Sequence, residues 1–193
     1  MSIHTFGDSH SMFGWRDIPN IKFNWLGPIL CYSFGRDKLN RLNIKNYNVA
    51  ENDTVIFCFG EIDCRCHIYK HITPENTYQK IIDNIVDNYF EAISENIIQY
   101  KNLKVYVYNV VPSVEKEYQV ENIEYPFLGN NEERKEFTLY FNNKIKENCL
   151  KYNYNFFDVY DKYTNEKGFL NSELSDGQVH IKNPYYIKEF LNL

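Results

Sequence analysis

The sequence predicts an α/β protein: a three-layer α/β/α sandwich around a five-stranded parallel sheet, in a single domain spanning residues 1–193. Three observations carry that expectation. Short apolar runs alternate with longer segments of helical period, the pattern of a parallel sheet flanked by helices. The middle run is apolar at nearly every position, as a strand buried on both faces must be. No internal repeat, low-complexity linker or domain boundary interrupts the chain, and 193 residues suit one domain of the usual size of about 100–200.

The elements come in order along the chain. Ile3–Phe6 reads as a first strand ending at Gly7, and Ile21–Trp25 as a weaker second one. Gly27-Pro28 then leads into a helix near Ile29–Phe34. Thr54–Phe59 is the continuous β-rich run, ending at Gly60. Thr73 is placed to cap a long helix with Pro74 at its first position, where a missing N–H costs nothing. Tyr78, Ile81, Ile82, Ile85, Val86, Tyr89, Phe90, Ile93 and Ile97 form one wide apolar stripe along it. Leu103–Val111 is the fourth strand, stopped by Pro112. The next helix starts near Asn131, with Glu132 and Glu133 favourable in its first turn and Phe137, Tyr140, Phe141, Ile145 and Cys149 as its buried face. Phe156–Tyr160 is the fifth strand, and a last helix comes after Asn183-Pro184. Between strand four and its helix, Ser113–Gly129 is acidic and without periodicity; a loop of that length either lines a site or is a solvated excursion.

Composition narrows the function. A net charge of −5 and a pI near 5.6 argue against a nucleic-acid partner, which needs clustered Lys and Arg. The N-terminus Met1–Phe6 has neither a basic nor an apolar leader region, and no apolar run approaches the roughly 18 residues of a membrane span. Five cysteines in no disulfide-like framework suit a reducing compartment, so a cytoplasmic protein with no membrane partner is expected. The 17 Tyr and 14 Phe, with abundant Asn, Ile and Lys, read first as coding bias, although a carbohydrate-stacking surface can exploit them.

In an open parallel sheet, ligands gather beyond the carboxyl ends of the strands. Strand one ends in Phe6-Gly7-Asp8-Ser9-His10-Ser11, strand three in Gly60-Glu61-Ile62-Asp63-Cys64-Arg65-Cys66-His67, and the last loop carries Ser175-Asp176-Gly177-Gln178-Val179-His180. A serine hydroxyl is a poor nucleophile until a base takes its proton. Ser9 is the candidate nucleophile and His180 the candidate base, since imidazole titrates near neutrality. Asp176 would hold the ring in the right tautomer and stabilise the imidazolium. Gly7 permits a sharp turn off the strand, so that the Ser9 N–H can point at a developing oxyanion.

Gly-Asp-Ser after the first strand, Gly-x-x-Asp after the third and an Asp/His pair before the final helix resemble the SGNH (GDSL-like) hydrolase superfamily. The likeness extends in short blocks from Phe6 to His180. It implies a flavodoxin-like α/β/α fold and a serine esterase acting through an acyl-enzyme on Ser9. Two departures from the family pattern stand out. The family's Gly-x-Asn-Asp, whose Asn donates to the oxyanion, is here Gly60-Glu61-Ile62-Asp63, and Ile62 has nothing to donate. Arg65 is the candidate substitute; it can instead pair with an acidic substrate, or with Glu61 or Asp63 in a buried ion pair. The family's Asp-x-x-His is here Asp176-x-x-x-His180. Either a bulge near Gly177 absorbs the extra residue, or His180 leans on a backbone carbonyl. The family's second oxyanion donor, a glycine N–H after strand two, falls on Gly27 or on Gly35, with Gly27 favoured by the Pro28 next to it; Gly35 reads equally as a helix cap. Asp8, Glu61 and Asp63 are candidate substrate-binding carboxylates.

The expected substrate is a small O-acyl ester, with an O-acetyl group on a carbohydrate as the leading case; Trp15, Trp25 and the Tyr-rich loop read as stacking platforms or equally as core. The same site can pass its acyl group to a sugar hydroxyl, as an O-acyltransferase does, and the loss of Asn at Ile62 also admits a weakened, carbohydrate-binding protein. Cys64-x-Cys66-His67 invites a zinc reading, but no second Cys/His pair lies near in sequence, so packed thiols and neither metal nor cofactor are expected.

Overall fold

Thr54–Cys58 is β-branched or apolar throughout, and every residue of it is buried. Its side chains alternate: Val55 and Phe57 enter one apolar layer, Ile56 and Cys58 the other. This is the central strand of the sheet, β3. A computed structural model of the chain describes residues 1–120 and 122–193. Around β3 lie β1 (Ile3–Gly7), β2 (Ile21–Trp25), β4 (Lys104–Tyr108) and β5 (Asn155–Phe157), in the spatial order β2-β1-β3-β4-β5. All four pairings are parallel. The α/β sandwich with a five-stranded parallel sheet predicted from the sequence is therefore the architecture observed.

One face of the sheet is covered by α1 (Cys31–Asp37), α3 (Tyr78–Ile97) and α4 (Asn131–Tyr152). The α3 stripe packs as its period requires, with Ile82, Val86, Tyr89, Phe90 and Ile93 buried. Gly35 sits inside α1 where that helix crosses α3; a Cβ there would come 2.9 Å from Asn88 Cβ. The opposite layer is thinner. It contains the segment around Trp15 and Ile18, the residues after β5, and the short α5 (Tyr185–Leu191), whose Phe190 stacks on Phe157 at 3.9 Å.

Several boundaries differ from the sequence reading. The α3 helix begins at Tyr78 with Thr77 as its cap, not at Thr73, whose hydroxyl instead accepts the Asn76 N–H in a preceding turn. The helix near Ile29–Phe34 is displaced to Cys31–Asp37, and β4 and β5 are shorter than their apolar runs because pairing ends where the chain leaves the ladder. The α4 start is as read, secured by a reciprocal capping box between Asn130 and Glu133. After Gly60 the chain makes a π-helical turn, Asp63–His67, continuing into α2 (Ile68–Lys70).

This topology places the site. From β1 the chain steps outward to β2 and then back past β1 to β3, so the order reverses beside β1 and a crevice opens at the carboxyl ends of β1 and β3. Gly7 pairs with Cys58 there, and a Cβ on Gly7 would lie 1.9 Å from the Cys58 carbonyl oxygen. Only glycine lets the two strand ends approach this closely.

Candidate active site

The chain leaving β1 turns at once into a 3-10 turn, Ser9–Ser11, capped by Asp8, whose carboxylate accepts the His10 N–H at 2.8 Å. That turn presents Ser9, partly exposed, to the crevice. Its Oγ lies 2.8 Å from Nε2 of His180, and Nδ1 of His180 lies 2.8 Å from Asp176 Oδ2. Residues from opposite ends of the chain are thus within hydrogen-bond reach in a serine–imidazole–carboxylate series.

The extra residue between Asp176 and His180 is taken up by a closed turn. The Asp176 N–H donates to the His180 carbonyl at 3.0 Å, Ser175 and Ile181 bridge antiparallel just outside it, and Gly177 adopts φ +83°. Asp176 Oδ1 also accepts N–H groups from Gln178 and His180. Burial alone would raise this carboxyl, but the bonds from the His180 ring and from Gln178 N–H outweigh it and hold Asp176 below its ordinary value. Burial, and then the neighbouring His10, pull the His180 imidazole below its usual 6.5 against the attraction of Asp176.

The oxyanion side is less as expected. Arg65 Nε lies 2.9 Å from Glu61 Oε1, and its two terminal nitrogens donate to Glu61 Oε2 and to the Tyr125 carbonyl, each at 3.0 Å. These contacts engage at most three of its five N–H groups and anchor the guanidinium to the loop, while Arg65 also lines the cleft with Ser9 and His180. Ile62 is buried and brings only methyl groups to the cleft. The backbone N–H groups of Ser9 and Gly27, by contrast, have no acceptor among the described residues. Gly27 adopts φ +89° in open space between Trp25 and Pro28, which line the cleft; Gly35 is inside α1.

The three carboxylates read as substrate-binding are all turned inward. Asp8 is fully buried against His10. Asp63 is fully buried and accepts the N–H groups of Cys31 and Tyr32 at 2.6 and 3.1 Å, so it holds the start of α1. Burial pushes its carboxyl up to about 7 even against those donors. Glu61 is taken by Arg65. Trp15 is likewise core, fully buried with Nε1 donating to the His10 carbonyl, whereas Trp25 is 53% exposed. Cys64 and Cys66 are buried thiols; Cys66 Sγ donates to the Ile62 carbonyl at 3.3 Å.

The cleft itself measures about 300 Å³ and is lined by Ser9, Trp25, Ile62, Tyr125, Phe127 and His180, among others. Tyr125 and Phe127 come from the aperiodic loop, so that loop does border the site; Glu121 within it lies outside the described residues. Two contacts that sequence reasoning missed flank the base: the Phe13 ring stacks on His180 at 4.1 Å, and His10 lies 4.9 Å from it on a second side. His10 adjoins the candidate nucleophile in the chain and has Asp8 two residues before it, but nothing local to it points to Val179 or His180.

No family model matches the chain, and no curated protein does. Solved structures do. A protein of Streptococcus pneumonia assigned as a platelet activating factor superposes with a TM-score of 0.67 at 18% identity, covering 99% of this chain and 82% of that one. The lipase/acylhydrolase from Enterococcus faecalis gives 0.58 at 14% identity, covering 99% and 92%. The OSK domain of Drosophila Oskar gives 0.60 at 12% identity, covering 98% and 88%. At these identities the likeness concerns the backbone arrangement, and activity must be argued from the site. The chain has the α/β/α fold of the SGNH (GDSL-like) hydrolases.

Proposed function

We propose that this protein is a serine ester hydrolase in which Ser9 attacks the ester carbonyl, His180 takes its proton and Asp176 holds His180 in the required tautomer. The observation that carries the reading is the 2.8 Å contact of Ser9 Oγ with His180 Nε2, backed by the 2.8 Å contact of Nδ1 with Asp176. In the first step the Oγ–C bond forms as His180 accepts the hydroxyl proton. The ester C–O bond then breaks, and the alcohol leaves with that proton, giving an acyl-Ser9 that water hydrolyses by the same proton path.

The N–H groups of Ser9 and Gly27 are the donors assigned to the oxyanion; the family's Asn has no counterpart at Ile62, and Arg65, anchored by Glu61 and the Tyr125 carbonyl, is not assigned that part. A site without a side-chain donor is expected to work more slowly, by about 10²–10³ for each donor lost. The cleft of about 300 Å³ has Ile62 in its lining beside Ser9 and His180, and the group assigned to it is a short acyl. Exposed Trp25 at its rim suits stacking on a sugar ring, so the substrate assigned is an O-acetyl ester of a carbohydrate.

A fluorophosphonate probe and p-nitrophenyl esters test this. Wild type should be labelled and should prefer acetyl over octanoyl esters. Ser9→Ala should lose labelling and about a thousandfold or more in turnover with its thermal midpoint unchanged. A wild type that neither reacts with the probe nor cleaves the acetyl ester would overturn the hydrolase reading.

A further inference from the structure

The turn that carries Ser9 also carries His10, and His10 is placed in an unusual way. It is 5% exposed, and both ring nitrogens face acceptors: Nδ1 is 3.0 Å from Asp8 Oδ1, and Nε2 is 3.1 Å from the Val179 carbonyl oxygen. A backbone carbonyl has no proton to give, so Nε2 carries the hydrogen of its bond. Asp8 Oδ1 already accepts the His10 backbone N–H, which marks it as an acceptor toward Nδ1 as well. An imidazole that donates from both nitrogens is an imidazolium. Its two partners flank the reacting pair in sequence, for Asp8 precedes Ser9 and Val179 precedes His180.

We propose that His10 is a positioning residue acting through His180: as an imidazolium it straps the Asp8 carboxylate behind the nucleophile to the Val179 carbonyl beside the base. The proposal rests on the serine-hydrolase reading above. Val179 is 169 positions from His10, and Gly177 and Gln178 just before it are exposed. The strap therefore joins the last loop to the Ser9 turn, together with the Ser9–His180 bond, the Phe13 stack and the packing of Val179 and Ile181 in the layer around Trp15.

The charge has a second consequence. Burial disfavours an imidazolium at His10, but Asp8 first, then Glu61 and the Val179 carbonyl, outweigh it and raise its proton affinity. His180 is faced by His10, by Asp176 on its own loop and by Glu61 at the end of the third strand's turn; burial and His10 prevail and lower it. A resident cation opposes a second one beside it, so His180 stays neutral and ready to accept a proton.

Imidazole ¹⁵N NMR of wild type at neutral pH should show His10 with two proton-bearing ring nitrogens and His180 with one. The fluorophosphonate labelling rate is then measured against pH for wild type, His10→Gln and His10→Leu. Gln keeps an N–H for Val179 but no charge; it should label within about tenfold of wild type on the plateau, with its acid limb moved to higher pH. Leu removes the strap and should lose about a hundredfold on the plateau, as a misplaced base does. A singly protonated His10 in wild type, or variants that label like wild type with an unmoved acid limb, would overturn the proposal. If Leu fails to fold, Gln and the wild-type spectrum still decide. An unlabelled wild type would count against the Ser9 reading instead, and the His10 spectrum would then decide the strap separately.

Discussion

Arg65 shows how partners, more than residue type, assign a role. Its guanidinium binds Glu61 and the Tyr125 carbonyl and lies 5.4 Å from the Phe127 ring centroid, with the Arg65 and Glu61 side chains only 12% and 10% exposed. Removing one member leaves the other charge poorly solvated. Arg65→Met should therefore cost about 3 kcal/mol in urea unfolding while lowering kcat far less than Ser9→Ala does. Unchanged stability with a large fall in kcat would return Arg65 to the oxyanion. For His180 the sign runs the other way from a surface histidine. Its proton affinity is lowered from 6.5, so kcat/KM should rise as pH climbs through a value below 6.5 and stay level above it. An acid limb at or above 6.5 would contradict the burial and charge argument.

At the scale of elements, Asp63 ties the start of α1 to the turn after β3. Its carboxyl is raised from 3.8 to about 7, so the folded state binds a proton that the unfolded state has already released. The stability from that proton is fully present below about 4 and is lost as pH rises toward about 7. The difference in thermal midpoint between wild type and Asp63→Asn should narrow over that interval; a difference independent of pH would refute it. The elements also mark how much the chain's local pattern conveys. The α3 stripe and the β3 run are legible because their periods record burial on one face or two. The α3 cap falls at Thr77 and not at Thr73 although both carry a capping hydroxyl, and only the packed backbone selects between them. The role of Asp63 is illegible for a similar reason: its partners, Cys31 and Tyr32, are some thirty positions away.

At the scale of the molecule, the sheet separates two apolar layers that share β3. Ile93 lies in one and Phe157 in the other, both fully buried. Ile93→Ala and Phe157→Ala should each cost about 2–5 kcal/mol and add to within about 0.5 kcal/mol, in one transition seen alike by circular dichroism and fluorescence. Two separated transitions would mean that the layers unfold independently and that the single-domain reading is wrong.

The sequence by itself determined the α/β class, the order of strands and helices, and the candidate nucleophile, base and acid at Ser9, His180 and Asp176. Each of these is written in short-range patterns, in strand and helix periods and in the residues just past each strand end. Tertiary structure alone decided that the Asp176–His180 turn closes to meet Ser9, that Arg65 is held by Glu61, that Asp63 serves α1, and that His10 reaches Val179. The contacts of Ser9, Asp63 and His10 join groups distant in the chain, whereas Arg65–Glu61 is an i,i+4 pair that the sequence offered as one alternative and that the packed loop selected. Charge, hydrogen-bond partners and desolvation at a buried site depend on the whole packed environment, which no local pattern encodes.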